Sequence, residues 1–477
     1  MYDDNPTINS LTKVINESKQ GEVYAPEGED KVYDKYYYIE SYGCAMNFSD
    51  SEIVASILSD NGYGSTRDMA QADLILVNTC SIREKAEETV RKRLRVYNTY
   101  KKKKKGLLIG VLGCMAERLK SKFLEQEKLV DIVLGPDAYR DLPNLLNSAE
   151  EGERGVNVLL SREETYADIS PVRLGNNGVS GFISIMRGCD NMCSFCVVPF
   201  TRGRERSRDP FSIVAEAEQM RVEGFKEITL LGQNVDSYKW TNPETQENVS
   251  FADLLVMVAK VDSKIRVRFS TSHPKDIDDE VLFAIRDYHN ICDYIHLPVQ
   301  SGSSRILELM NRKYTREWYM KKIKRINEVI PECTVSSDII AGFCTETEED
   351  HQQTLSIIEE SGFIMSYMYT YSERPGTLAA RKYKDDVPHD IKKRRLTEII
   401  KVQAASSAAS NKKDLHKTFE VLIEGDSKKS KADFRGRTSH FKVIVFPKIE
   451  GYKPGDYAMV HVDNMTSGTL LGNIVTT

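Results

Sequence analysis

The chain of 477 residues has no apolar run near the length of a bilayer span, so no membrane association is expected. It opens Met-Tyr-Asp-Asp-Asn-Pro, without the basic start and apolar core of a secretory signal. It lacks an even set of cysteines: there are nine, and with no export signal they read as thiols or metal ligands in a reducing, cytoplasmic setting. It also lacks the strong positive charge of many nucleic-acid binders, with a formal net charge of −5. What is present is ordinary for a globular protein, 40% hydrophobic and 29% charged, and long enough for several domains.

The cysteines are not evenly spread. Cys189, Cys193 and Cys196 stand within eight positions, in Arg187-Gly188-Cys189-Asp190-Asn191-Met192-Cys193-Ser194-Phe195-Cys196. Zinc sites usually pair one CxxC with a distant second pair, and a disulfide would leave one thiol over. Three soft thiolates on one loop suit three corners of a cubane iron–sulfur cluster, leaving the fourth iron open to a small molecule. Zinc or a structural thiol cluster is the alternative.

Along the chain, residues 1–34 are polar and without periodicity, and read as a loosely docked arm. Residues 35–150 alternate strand and helix, with strands at 36–40, 73–78, 107–112 and 131–134. This predicts an open, parallel, Rossmann-like α/β domain. Cys44, Cys80 and Cys114 each follow one of the first three strands. The strand C-termini of such a sheet share one edge, where ligands bind, so the three thiols are expected together as a second metal cluster. Gly43 and Gly113 beside them permit close backbone approach.

Residues 151–178 read as a linker. Residues 179–411 give six strand–helix units, with strands at 182–186, 228–231, 265–270, 294–299, 335–340 and 365–371. Two units short of a full barrel, they predict a partial (β/α)6 TIM-like barrel, with the Cys189–Cys196 loop at its C-terminal mouth. Polar groups recur at successive strand ends: Gln233 and Asn234, Ser270 to His273, Gln300 to Ser303, and Asp338. They suit a polar ligand lying across the mouth.

Residues 412–477 carry short β-like runs at 419–424, 441–446, 457–462 and 470–475, which predict a small antiparallel β-barrel. Eleven Lys or Arg stand there against eight Asp or Glu. Five arginines between 187 and 208 face only Asp190 and Glu205. Both segments are locally basic, as nucleic-acid contact requires. Arg202, Arg204, Arg206 and Arg208 are candidates for phosphate contacts, with surface ion pairing to Glu205 and Asp209 as the plainer reading.

Cys189-x-x-x-Cys193-x-x-Cys196 with its aromatic Phe195 resembles the radical S-adenosylmethionine superfamily. With the three-cysteine domain before it and a barrel similar to the RNA-binding TRAM domain after it, the chain from about Tyr36 resembles the methylthiotransferases. Ser41-Tyr42-Gly43-Cys44-Ala45-Met46-Asn47, Val197–Arg208, Leu231-Gly232-Gln233-Asn234-Val235 and the run from Leu297 to Arg312 resemble the branch that makes 2-methylthio-isopentenyladenosine in tRNA. The sibling branches act on threonylcarbamoyl-adenosine in tRNA or on a ribosomal-protein aspartate.

The resemblance implies two [4Fe-4S] clusters, one on Cys189, Cys193 and Cys196 and one on Cys44, Cys80 and Cys114. It also implies two molecules of S-adenosylmethionine per turnover. The first, cleaved at the barrel cluster, gives a radical that takes the hydrogen from carbon 2 of the modified adenine; the second supplies the methyl group, and the other cluster the sulfur. Phe195, Gln233, Asn234, Ser270, Gln300 and Asp338 are the expected S-adenosylmethionine contacts. The expected partners are an anticodon stem-loop carrying isopentenyl-adenosine and an electron donor such as flavodoxin or ferredoxin, with the enzyme a monomer. An iron–sulfur electron carrier with an RNA-binding tail, or a zinc-bound RNA-binding protein, is the non-enzyme alternative. One departure stands out: the family's Gly-Phe-Pro-Gly-Glu-Thr is here Gly342-Phe343-Cys344-Thr345-Glu346-Thr347, with Cys344 read as a spectator.

Overall fold

A computed structural model describes residues 32–81, 84–174 and 178–475. The expected arm lies outside these up to residue 31, as do linker positions 175–177. No helix among the described residues is long and apolar enough to cross a membrane.

The N-terminal domain is a six-stranded parallel sheet. Its strands are β1 (Lys35–Tyr42), β2 (Tyr63–Ser65), β3 (Leu74–Thr79), β4 (Leu108–Leu112), β5 (Ile132–Leu134) and β6 (Gly155–Asn157), in the order β2-β1-β3-β4-β5-β6. Side chains of a strand alternate between faces. Leu74 and Leu76 accordingly enter one apolar cluster, and Ile75 and Val77 the other. Both faces are covered, as a parallel sheet requires. Two strands were not expected. β2 and β6 are three residues long, sit at the edges and contain a glycine each, so they carry almost no hydrophobic alternation. β6 lies inside the stretch read as a linker.

The central domain follows the sequence reading closely. Its parallel strands are β7 (Ser180–Ser184), β10 (Glu227–Leu231), β13 (Arg266–Ser270), β14 (Tyr294–His296), β15 (Thr334–Ala341) and β16 (Met365–Thr370). Two short pairs, β8 (Met186–Arg187) with β9 (Arg206–Ser207) and β11 (Lys239–Thr241) with β12 (Asn248–Ser250), decorate the loops. β13-β10-β7 and β14-β15-β16 form two sheets, joined by the parallel bridge Val267–Ile291. β7 and β16 do not pair, so the barrel is open. The helix Ala45–Asp60 of the first domain packs on β7, with Phe48 edge-to-face on Phe182 at 6.1 Å.

The C-terminal strands β17 (Thr418–Asp426), β18 (Asp433–Arg437), β19 (Val443–Pro447), β20 (Tyr457–Met465) and β21 (Leu470–Ile474) close into a barrel, β17-β18-β19-β21-β20. It is antiparallel except where β19 runs parallel to β21, and β18 was not expected because Gly436 and two arginines hide its pattern. This barrel docks under the first one, at the N-terminal ends of its strands. Phe441 stacks on Tyr294 at 4.3 Å, and Arg268 donates to the carbonyls of Thr438 and Ser439. The opposite, C-terminal ends are left for the site.

Candidate active site

β1, β3 and β4 are neighbours in the sheet, so their C-terminal ends are adjacent. Cys44 lies at the N-cap of the helix after β1, Cys80 follows β3, and Cys114 opens the helix Cys114–Leu119 after β4. The Cys80 thiol hydrogen-bonds to Cys44; with Arg202 this draws the Cys44 thiol down to about 6, against the effect of burial. Burial pushes the Cys114 thiol up. Gly43 and Gly113 have φ of +123° and +86°. A Cβ at Gly43 would lie 2.5 Å from Cys80 Cβ, and one at Gly113 would lie 2.3 Å from Asn78 Oδ1. These glycines therefore let neighbouring strand ends close in on one another. Asn47 braces the same ends, donating to Asn78 Oδ1 at 3.2 Å and accepting from Cys44 Sγ at 3.3 Å.

The second trio lies on the loop after β8. Ser194 pins it, donating from its backbone N–H to Met310 O at 2.9 Å and from its hydroxyl to Leu309 O at 2.8 Å. Burial pushes the Cys189 thiol up to about 12 and raises Cys196 as well. Arg312 Nη1 stands 3.2 Å from Cys193 Sγ. Each trio thus has a buried guanidinium against one sulfur: Arg312 here, and Arg202, whose Nε is 3.2 Å from Cys114 Sγ, at the other. A cation beside sulfur favours thiolate, the form that binds metal.

The strand ends around the loop hold polar atoms with no protein partner. Both amide atoms of Gln233 are buried and unpaired among the described residues, as are Asn234 Oδ1 and His273 Nε2. Each such group costs about 1–3 kcal/mol. Their concentration at one mouth fits a bound polar ligand, as S-adenosylmethionine is. Asn234 Nδ2 donates to Asp276 at 2.8 Å, and Ser270 Oγ lies 3.3 Å from Thr271 Oγ1. Gln300 bonds through its backbone, its N–H to Asp338 O at 2.8 Å and its carbonyl to the Ile340 N–H at 2.9 Å. Asp338 Oδ1 faces His296 Nε2 at 3.6 Å. Phe195 packs, half-buried, against a small apolar cluster of Ile306, Met310, Phe343, Cys344, Tyr371 and Ala379, and so anchors the loop. Cys344 is fully buried in that cluster.

Three of the four arginines assigned to phosphates are not available to them. Arg202 is buried and donates to Asp50 Oδ2 at 2.7 Å; Arg206 holds both oxygens of Asp137 at 2.9 Å; Arg208 donates to Glu216. Their partners are also not the expected Glu205 and Asp209. Arg187 belongs with them, donating to Asp50 Oδ1 at 2.9 Å. Asp50 and Asp137 lie in the first domain and the arginines in the second, so these pairs fasten one domain to the other. Only Arg204 remains exposed, 3.2 Å from Asp190.

The sequence reading did not single out Asp50, Asp137, Asn47, Asp236 or Arg312 as site residues. Asp50 lies in a helix whose polar residues, among them Asn47, Ser49, Ser51 and Glu52, are buried with it between sheet and barrel, and nothing local in the sequence separates them from surface residues. Arg312 closes the run from Leu297 that carried the resemblance, and that run was the one signal available for it.

Three family models match the chain: "Uncharacterized protein family UPF0004" over residues 36–135, "Radical SAM superfamily" over 183–358 and "TRAM domain" over 412–475. The chain is 59% identical to the tRNA-2-methylthio-N(6)-dimethylallyladenosine synthase of Amoebophilus asiaticus, covering 98% of this chain and 99% of that one. It is 57% identical to the protein of the same name from Christiangramia forsetii, over 97% and 98%. Among solved structures, the radical S-adenosylmethionine methyltransferase TsrM of Kitasatospora setae superposes with a TM-score of 0.54 at 15% identity, over 73% of this chain and 75% of that one. That likeness carries the fold alone. The three matching family models and identities of 59% and 57% over nearly the whole of both chains place the chain in the tRNA-2-methylthio-N(6)-dimethylallyladenosine synthase family of radical S-adenosylmethionine methylthiotransferases.

Proposed function

We propose that the protein adds sulfur and a methyl group at carbon 2 of N6-dimethylallyladenosine, the isopentenyl-adenosine beside the anticodon of tRNA. The observation that carries this is the pair of cysteine trios, each backed by a buried arginine, on two domains that buried ion pairs hold together. Each trio suits a [4Fe-4S] cluster with one iron free of protein ligands. When bound, the groups supply what side chains lack: one-electron cleavage of S-adenosylmethionine at Cys189, Cys193 and Cys196, and sulfur at Cys44, Cys80 and Cys114. A carbon–hydrogen bond at carbon 2 is not acidic enough for a side-chain base, which is why this chemistry is required.

The chain's own residues bind, orient and shield. Gln233 and Asn234 hold the amino and carboxylate groups of S-adenosylmethionine, and Ser270, Gln300 and Asp338 its remaining polar groups; their unpaired or strand-end positions support this. The exposed edge of Phe195 is left for the adenine. Arg312 and Arg202 each place a guanidinium against one sulfur of a trio, at Cys193 and Cys114. The docked C-terminal barrel covers the lower end of the open one and limits solvent entry there.

Arg204 is the one arginine of the segment left for RNA phosphate. Lys428, Lys429 and Lys431 stand exposed on the turn at the end of β18 away from the docked turn, and add salt-dependent affinity. The protein works as a cytoplasmic monomer with a small electron donor such as flavodoxin or ferredoxin. Mass spectrometry of tRNA nucleosides from cells with and without the gene tests the assignment. Loss of the methylthio derivative of dimethylallyladenosine is expected; an unchanged pool would overturn it.

A further inference from the structure

We infer that Phe200 is the wall against which the dimethylallyl group of the substrate packs, and that it selects for an apolar substituent on the adenine. This rests on the reading that the substrate is dimethylallyladenosine in tRNA. The short helix Val198–Thr201 joins the two cysteine trios: Phe200 lies four residues after Cys196 and two before Arg202, whose Nε sits 3.2 Å from Cys114 Sγ. The same helix packs against the helix Cys114–Leu119. A base that receives sulfur from one trio and loses hydrogen at the other has to lie along this seam.

The helix is firmly held. Val197 and Thr201 are buried, and the Phe200 and Arg202 N–H groups donate to Val197 O at 3.0 Å and Val198 O at 2.8 Å. Phe200 between them is 40% exposed, and Met192, on the Cys189–Cys196 loop itself, is 39% exposed. They are the only two large apolar side chains exposed between residues 187 and 208. An apolar side chain open at the seam favours an apolar group of a bound ligand, which gains by leaving water, over a polar one. A branched five-carbon substituent fits such a surface. A threonylcarbamoyl group does not: its carboxylate and hydroxyl would lose water and find no partner on a phenyl ring.

The test is anaerobic equilibrium binding of the full-length, cluster-loaded protein to anticodon stem-loops of one sequence. They carry adenosine, dimethylallyladenosine or threonylcarbamoyl-adenosine at the target position. Wild type is expected to favour the dimethylallyl RNA over the adenosine RNA by about tenfold. Phe200→Ala should reduce that preference to about twofold while leaving the adenosine RNA unchanged, and Phe200→Leu should retain most of it. If Phe200→Ala unfolds, Phe200→Ser on the same exposed position serves in its place. A wild type with no preference contradicts the substrate reading. A preference that survives loss of the ring overturns this inference, as does equal weakening of all three RNAs, which would assign the ring to the base.

Discussion

Arg202 spans two domains: its Nη2 lies 2.7 Å from Asp50 Oδ2 while its Nε lies 3.2 Å from Cys114 Sγ. The Asp50 carboxyl is fully buried, and burial alone would raise its pKa; Arg187 and Arg202 outweigh that and hold it low. Asp50→Ala leaves the buried Arg202 without a carboxylate and Arg187 with only Asp137, 3.4 Å from its Nε. The expected cost is about 3–5 kcal/mol, read by denaturant unfolding. Iron retained at the first trio should fall with it, because the same arginine supports Cys114.

Asp236 gives a pH signature. Burial lifts its carboxyl to about 8, from an ordinary value of 3.8, while it accepts the His273 backbone N–H at 3.0 Å. The folded protein therefore keeps a proton that the unfolded chain loses. Stability from this group is complete below about pH 4 and falls as the pH rises toward 8, by up to about 1.4 kcal/mol per pH unit. Asp236→Asn should remove this decline, so that the variant gains on wild type between pH 5 and pH 8 in anaerobic thermal unfolding (windows set by the two values above).

The Cys344-Thr345 departure has a visible consequence. Thr345 occupies the position where the family pattern has glycine, and it keeps the left-handed backbone with φ of +63°. Arg305 holds it, donating to Thr345 Oγ1 at 3.1 Å and to its carbonyl at 2.6 Å. A β-branched residue there costs about 1–2 kcal/mol. Thr345→Gly relieves this but loses one hydrogen bond and gains unfolded-chain entropy. These contributions are of similar size and opposite sign, so the net expectation is a change of less than about 1 kcal/mol, read as a melting temperature within a few degrees of wild type with unchanged cofactor cleavage.

Replacement of Lys428, Lys429 and Lys431 by alanine tests where RNA meets the C-terminal barrel. The slope of log affinity against log salt should flatten by about two to three. The preference for dimethylallyladenosine should not change, since these lysines sit on the barrel docked at the end of the central domain opposite the site.

The barrel was legible because each of its strands is a buried run followed by a helix of the right period, and its boundaries agree within a few residues. The places of the six cysteines on the fold were legible because one group is local in sequence and the other repeats a position, the end of a strand. The arginines were not. Whether Arg206 is a surface cation or a buried clamp depends on Asp137, sixty-nine residues away in sequence, and no local pattern carries that. β2, β6 and β18 were missed for the opposite reason: tertiary pairing holds strands whose own residues carry little apolar alternation.

The division of labour between the trios is the centre of the account. The most direct test is cleavage of S-adenosylmethionine by the protein with Cys44, Cys80 and Cys114 all replaced by alanine, purified anaerobically. The account predicts about four irons in place of about eight, sustained release of 5′-deoxyadenosine and no thiolated tRNA. Cleavage lost to the same extent as in the Cys189, Cys193 and Cys196 replacement would contradict it.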